Sequence, residues 1–264
     1  MPKKRRTTVN RKKQVIYNLL LLIALSGFVF SAYKLYSIYT DYKMIDDNNS
    51  AIRNIAFDNS KLVIEEDVDP NDINFLPVVN FQALKEMNSE IIGYIYIPNT
   101  EINYPITQAV DNHKYLETTA NLLYSAGGSI FVDFRNDSFF NDRNTLIYGH
   151  AMRNNSMFGS LSNYKKQSFL DQHPYVFIYT ENAIHKYQIF SFHQDTHDSY
   201  VYNIYFESDD SFLTFTNSLA SKSVINSSAD LNSGNRIITL STCTNITDEG
   251  RYLLHAILVE SKDI

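Results

Sequence analysis

The chain has 264 residues, 44% of them hydrophobic, with one cysteine, no tryptophan and a formal net charge of −6. A lone thiol excludes an intramolecular disulfide, and one Cys with scattered His offers no metal-ligand spacing, so neither a metal nor a cofactor is expected. The charge is uneven: the first forty residues hold eight Lys or Arg and no acid, leaving a net of −14 over residues 41–264, which argues against nucleic acid as a partner.

Taken in chain order, a basic cluster (Lys3, Lys4, Arg5, Arg6, Arg11, Lys12, Lys13) precedes residues 15–33, which carry no charge. At about 1.5 Å rise per residue this run approaches the roughly 30 Å of a bilayer core. The expected organisation is a cytoplasmic basic tail over 1–14, a transmembrane signal anchor over 15–38, a stalk with a helical segment over 39–75 and one folded domain over 76–264. The positive-inside rule keeps the amino terminus in the cytoplasm and exports the rest, giving a single-pass membrane protein whose folded domain is extracellular. A signal peptide cut after Ala24-Leu25-Ser26 is the competing reading, but such apolar regions usually run about 7 to 15 residues. Residues 42–57 have loosely helical apolar spacing, and residues 65–72 form an acidic stretch containing Pro70.

From residue 91 onward, short runs rich in Ile, Val, Tyr and Phe predict eight strands, over 91–97, 102–107, 129–134, 145–148, 175–179, 186–193, 236–242 and 252–260. Residues 209–220 predict a helix, with Phe212, Phe215 and Leu219 on one face and Asp209 and Asp210 at its start. The fold class is mainly β, and the strands alone are compatible with a barrel or a sandwich.

The chemistry concentrates at three strand ends. Cys243 closes the run Arg236-Ile237-Ile238-Thr239-Leu240-Ser241-Thr242; His150 follows Asn144-Thr145-Leu146-Ile147-Tyr148-Gly149; Arg251 comes after seven residues beyond Cys243. A lone cysteine is either inert packing or a nucleophile, and a histidine at another strand end is the natural partner of a thiolate. Papain-like order (Cys before His) and the caspase Gln-Ala-Cys box are both absent. Asn48, Asn136, Asn154, Asn226 and Asn245 each match a glycosylation acceptor pattern; in a chain this rich in Asn such matches arise by chance.

A His strand end, a Thr-Leu-Ser-Thr-Cys strand end and an Arg opening the next strand together resemble the sortases, the membrane-anchored cysteine transpeptidases of Gram-positive bacteria. His150-Ala151-Met152, Ser156-Met157-Phe158 and Leu161, with Asp111-Asn112-His113-Lys114-Tyr115-Leu116, look like class B. The resemblance covers roughly residues 75–264 and implies an eight-stranded sortase-type β-barrel with short helices. It implies catalytic roles for His150, Cys243 and Arg251, with the Arg251 guanidinium and the Thr244 backbone N–H as oxyanion donors. Asn112, Leu116 and Ser241 are implied substrate-binding residues, and residues 196–202 part of the loop over the bound peptide. Thr244 departs from the acidic residue found there in some class B members.

The implied partners are exported proteins bearing a C-terminal sorting signal, cleaved after Thr, and a peptidoglycan precursor amine as acceptor, with the bilayer contacted through residues 15–38. Three rival readings stand beside this one: a pilin-polymerising sortase, a membrane-tethered extracellular binding module with a structural cysteine, and an L,D-transpeptidase, whose Ser-His-Gly-Cys box is absent.

Overall fold

The computed structural model describes residues 11–58, 69–232, 236–243 and 250–264. The chain divides into two units, up to Ile45 and Asp46–Ile264. The helix α1 (Arg11–Ala56) starts in the first and ends in the second, and its first part holds an apolar window long enough to cross a bilayer. Leu20, Leu22, Phe28 and Phe30 are all exposed. The run anticipated over 15–33 and the helical spacing anticipated over 42–57 thus belong to one helix. The basic cluster before Arg11 lies outside the described residues, as do positions 65–68 of the acidic stretch; Asp69 and Asp72 of that stretch accept the Asn71 and Asn74 amides.

The second unit is a closed barrel of eight strands: β1 (Ile91–Tyr96), β2 (Asn103–Thr107), β3 (Ile130–Val132), β4 (Asn144–Tyr148), β5 (Tyr175–Tyr179), β6 (Ala183–Thr196), β7 (Ile237–Cys243) and β8 (Gly250–Asp263). Their order around the barrel is β1-β2-β3-β4-β7-β8-β6-β5. Closure pairs every strand on both sides and removes edges that would expose unpaired N–H and C=O groups. Two joints, β2 with β3 and β4 with β7, are parallel; the others are antiparallel. All eight anticipated strands form. β6 and β8 run 14 residues each, well past the predicted ends, because Gln194, Asp195 and Thr196 stay in register with Tyr252, Arg251 and Gly250 despite their polarity.

Inward-facing Ile95, Ile106, Ile147, Leu240 and Leu254 fill the barrel core. A second cluster packs α2 (Phe81–Met87) and the last turn of α1 on the outside of β1 and β5, through Ile52, Phe57, Leu84, Tyr94 and Phe177. The helix α3 (Gln167–Gln172) precedes β5, and α4 (Asp209–Ser221) forms where expected. Ser208 and Ser211 close a capping box at its start, satisfying two otherwise orphaned amides. Phe212, Phe215 and Leu219 pack on Phe190, Leu253 and Ile257, each contributing roughly 1.5–3 kcal/mol by burial.

Candidate active site

The parallel β4–β7 joint sets Tyr148 beside Ser241, and the ladder runs one step further, the Gly149 N–H donating to the Ser241 carbonyl at 3.2 Å. His150 therefore leaves the barrel where β7 ends. On the other side of β7, the antiparallel register with β8 sets Cys243 opposite Arg251. The carboxyl ends of β4 and β7 and the amino end of β8 thus bring the three strand-end candidates to one rim of the barrel. Thr244, the anticipated second oxyanion donor, lies outside the described residues, as does the Asn245 acceptor pattern.

This rim opens into a cleft of about 770 Å³, walled by His150, Arg251, Ser241, Asn112 and Leu116, every one of them anticipated. Residues 197–199 and Tyr202 line it as well, so the loop expected over the peptide does border the site. Of the other histidines, His113 and His197 also line it, whereas His173, His185, His193 and His255 are buried elsewhere. Among the described residues no group of three or more His, Cys, Asp or Glu is arranged to hold a metal.

His150 is oriented by backbone. Its Nε2 lies 2.7 Å from the Leu116 carbonyl oxygen, which can only accept, so Nε2 carries the proton and Nδ1 is the basic nitrogen. Behind it, residues 151–158 fold into a tight loop. Ala151 bridges to Met157, the Phe158 N–H donates to the His150 carbonyl at 2.9 Å, and Met157 holds a φ of 54° with its N–H on the Tyr104 hydroxyl. The Ser-Met-Phe motif is therefore the floor under the histidine. Gly159 belongs to the same device: a Cβ there would stand 2.3 Å from the Met152 carbonyl oxygen.

Arg251 is half-buried, its Nη1 donating to the Gly250 carbonyl at 2.9 Å. A guanidinium keeps its charge at any working pH and presents directed donors, which suits it to a developing oxyanion. Ser241 is buried, its hydroxyl sharing a 3.0 Å hydrogen bond with that of Tyr202, whose ring stacks on Tyr148 with centroids 6.2 Å apart. Asn112 is held at both ends, donating from Nδ2 to Asp133 Oδ2 at 3.1 Å and accepting the Phe134 N–H at 3.0 Å.

Among the wall residues not singled out by the sequence are Asp133, Arg135 and Tyr148. The available signal was Asp133-Phe134-Arg135, an acid and a base directly after the apolar run of β3. Burial pushes the Asp133 carboxyl pKa up, but hydrogen bonds from the Arg135 side chain and backbone and from Tyr148 outweigh it and hold the group below the usual carboxylate range. Tyr148 is raised in turn, by burial first and by the Asp133 charge second.

Comparison with known proteins agrees with this geometry. The sortase domain family matches residues 95–259. Sortase B of Listeria monocytogenes is 34% identical over 244 residues, covering 91% of this chain and 95% of that protein; sortase B of Staphylococcus aureus is 36% identical over 170 residues, covering 64% and 69%. The structure of the S. aureus sortase B–substrate complex superposes with a TM-score of 0.71 at 30% identity, covering 84% of this chain and 99% of that one. Sortase B from B. anthracis gives 0.70 at 32% identity, with the same coverages. An eight-stranded barrel with His, Cys and Arg positions meeting at one rim, matched over most of its length by these relatives, makes this chain a class B member of the sortase family, the cysteine transpeptidases that anchor surface proteins.

Proposed function

We propose that Cys243 is the nucleophile, His150 its acid–base partner and Arg251 the oxyanion donor of a transpeptidation on exported proteins. The Cys243 thiolate attacks the carbonyl of a Thr in a C-terminal sorting segment, forming a C–S bond. The Arg251 guanidinium holds the charge that develops on the carbonyl oxygen. As the C–N bond breaks, the proton that His150 Nδ1 took from the Cys243 thiol passes to the departing amine. The thioacyl enzyme is then resolved by a second amine, which loses its proton to His150 as the new amide forms and the thiolate leaves.

The observation that carries this reading is the strand register: Tyr148 beside Ser241 and Cys243 opposite Arg251 bring the three positions to one rim of the barrel. Support for a peptide as first substrate comes from the wall, where Asn112, Leu116 and Ser241 combine apolar contact with hydrogen-bonding groups suited to an extended backbone. An S. aureus sortase B has been solved with its substrate, and a sortase B with triglycine, in keeping with a peptide donor and an amine-bearing acceptor. The acceptor proposed here is the amine of a peptidoglycan precursor. Residues 1–14 form the cytoplasmic tail, 15–38 the single membrane span, 39–75 the stalk and 76–264 the extracellular catalytic domain.

The test is incubation of the domain lacking residues 1–40 with Asn-Pro-x-Thr-x, Leu-Pro-x-Thr-Gly and Pro-Pro-x-Thr-Gly peptides, with and without an amine acceptor. Cleavage after Thr of one class, with acyl transfer to the peptidoglycan-type amine, is the expected result. Transfer only to a lysine-bearing pilin peptide would replace the acceptor, and absence of cleavage across the panel would overturn the peptide reading.

A further inference from the structure

Asp133 is 1% exposed and follows the three-residue strand β3. Burying a carboxylate is costly unless its oxygens are satisfied, so the donors reveal what it is kept for. Oδ1 accepts from Arg135 Nε at 2.8 Å and from the Arg135 backbone N–H at 3.0 Å. Oδ2 accepts from Arg135 Nη2 at 3.0 Å, the Tyr148 hydroxyl at 2.9 Å and Asn112 Nδ2 at 3.1 Å. Arg135 alone would neutralise the charge. The two further donors come from separate segments, the end of β4 and the loop before Lys114, and both border the cleft.

The consequences reach across the cleft. With its hydroxyl proton committed to Asp133, Tyr148 has its ring fixed between Phe131, at 5.3 Å, and Tyr202, at 6.2 Å; the Tyr202 hydroxyl then meets Ser241. Asn112 keeps one further N–H and Tyr148 an acceptor lone pair for a ligand. His150 takes its orientation from the Leu116 carbonyl instead.

We propose that Asp133 is a positioning residue for substrate recognition, a buried carboxylate that presets Tyr148 and Asn112, and through Tyr148 the Tyr202–Ser241 pair, for the bound peptide. It acts through these neighbours and governs affinity, while the bond-making groups are held independently. This inference rests on the cleft being the peptide site.

The experiment is steady-state peptide cleavage by wild type, Asp133→Asn, Tyr148→Phe and the double variant, with circular dichroism for fold and the rate of Cys243 alkylation for the thiol. Asp133→Asn is expected to raise KM about tenfold or more with kcat within about threefold and alkylation unchanged. The double variant is expected within about twofold of Asp133→Asn alone, because both changes break one network. A folded Asp133→Asn protein with wild-type KM, a loss confined to kcat, or multiplicative effects in the double variant would overturn the inference. Should Asp133→Asn fail to fold, Tyr148→Phe and Asn112→Ala keep the carboxylate and read the same coupling; their combined effect on KM is expected to fall short of the product, and a full product would overturn it. A wild type inactive on every peptide overturns the peptide reading and this inference together, whereas an active wild type with an indifferent Asp133→Asn overturns the inference alone.

Discussion

Replacing Gly149 by alanine adds one methyl group beside His150, and the structure says where the strain goes. The new Cβ would stand 2.5 Å from Ile130 Cδ1 and 2.8 and 2.9 Å from Phe158 Cδ2 and Cγ. Carbon atoms prefer about 3.5–4.0 Å, so something must yield by roughly 1 Å. Ile130 and Phe158 are both fully buried in the barrel core, and overpacking such a site costs about 1–3 kcal/mol. The backbone at 149 is tied to β7 through Ser241, and Phe158 is tied to the His150 carbonyl, so the displacement is passed to the histidine. A misplacement of about 1 Å lowers turnover by up to about a hundredfold. Urea unfolding and kcat/KM on peptide should therefore both fall in Gly149→Ala. The repair is specific: Ile130→Val deletes Cδ1, the nearest atom, and alone costs about 0.5–1.5 kcal/mol. Combined with Gly149→Ala, it should give a protein less destabilised than the sum of the two, with part of the activity restored. Additive costs, or wild-type kcat/KM in Gly149→Ala, would refute the reasoning.

Cys243→Ala is expected to abolish cleavage with an unchanged circular dichroism spectrum; turnover by the folded variant would defeat the enzyme assignment of this thiol. Arg251→Ala should lose about a hundredfold to a thousandfold in kcat, roughly 2.7–4 kcal/mol, and Arg251→Lys most of that, since lysine keeps the charge without the planar fork. A kcat within about threefold of wild type in Arg251→Ala would remove its oxyanion role. Burial, assisted by Lys222 and opposed by Asp195, pushes the His193 pKa down to about 4 from 6.5. Below pH 6.5 the unfolded chain takes up a proton that the folded protein refuses until about pH 4, so stability present above that window is lost across it. The loss is roughly 3 kcal/mol, or about 6–12 °C in Tm; His193→Gln should lose less between pH 7 and 4.5, and equal losses in both proteins would contradict the assignment.

What the sequence made legible follows from how local each signal is. The strands announce themselves through Ile, Val, Tyr and Phe runs, and α4 through Phe212, Phe215 and Leu219. The short helices α2 and α3, at 7 and 6 residues, contain too few turns for a period to show. The polar ends of β6 and β8 are strand only because each has the other as partner. The candidates His150, Cys243 and Arg251 came from the family pattern around them, while the convergence of these positions at one rim depends on a parallel joint between distant strands. Asp133 was missed because a carboxylate after an apolar run reads as an exposed strand end. Its burial depends on donors from three segments that only the closed barrel brings together.

The parallel joint between β4 and β7 also bears on how the protein folds. Antiparallel neighbours can form as hairpins, but a parallel pair must wait for a long intervening stretch to be laid down, here β5, β6 and α4. Loop closure of that span is paid before the contact repays it, which places the joint among the late events of folding. Until it forms, His150 and Cys243 belong to unconnected parts of the chain. A partly folded molecule therefore carries its single cysteine apart from His150, and the two strand ends reach one rim only with barrel closure.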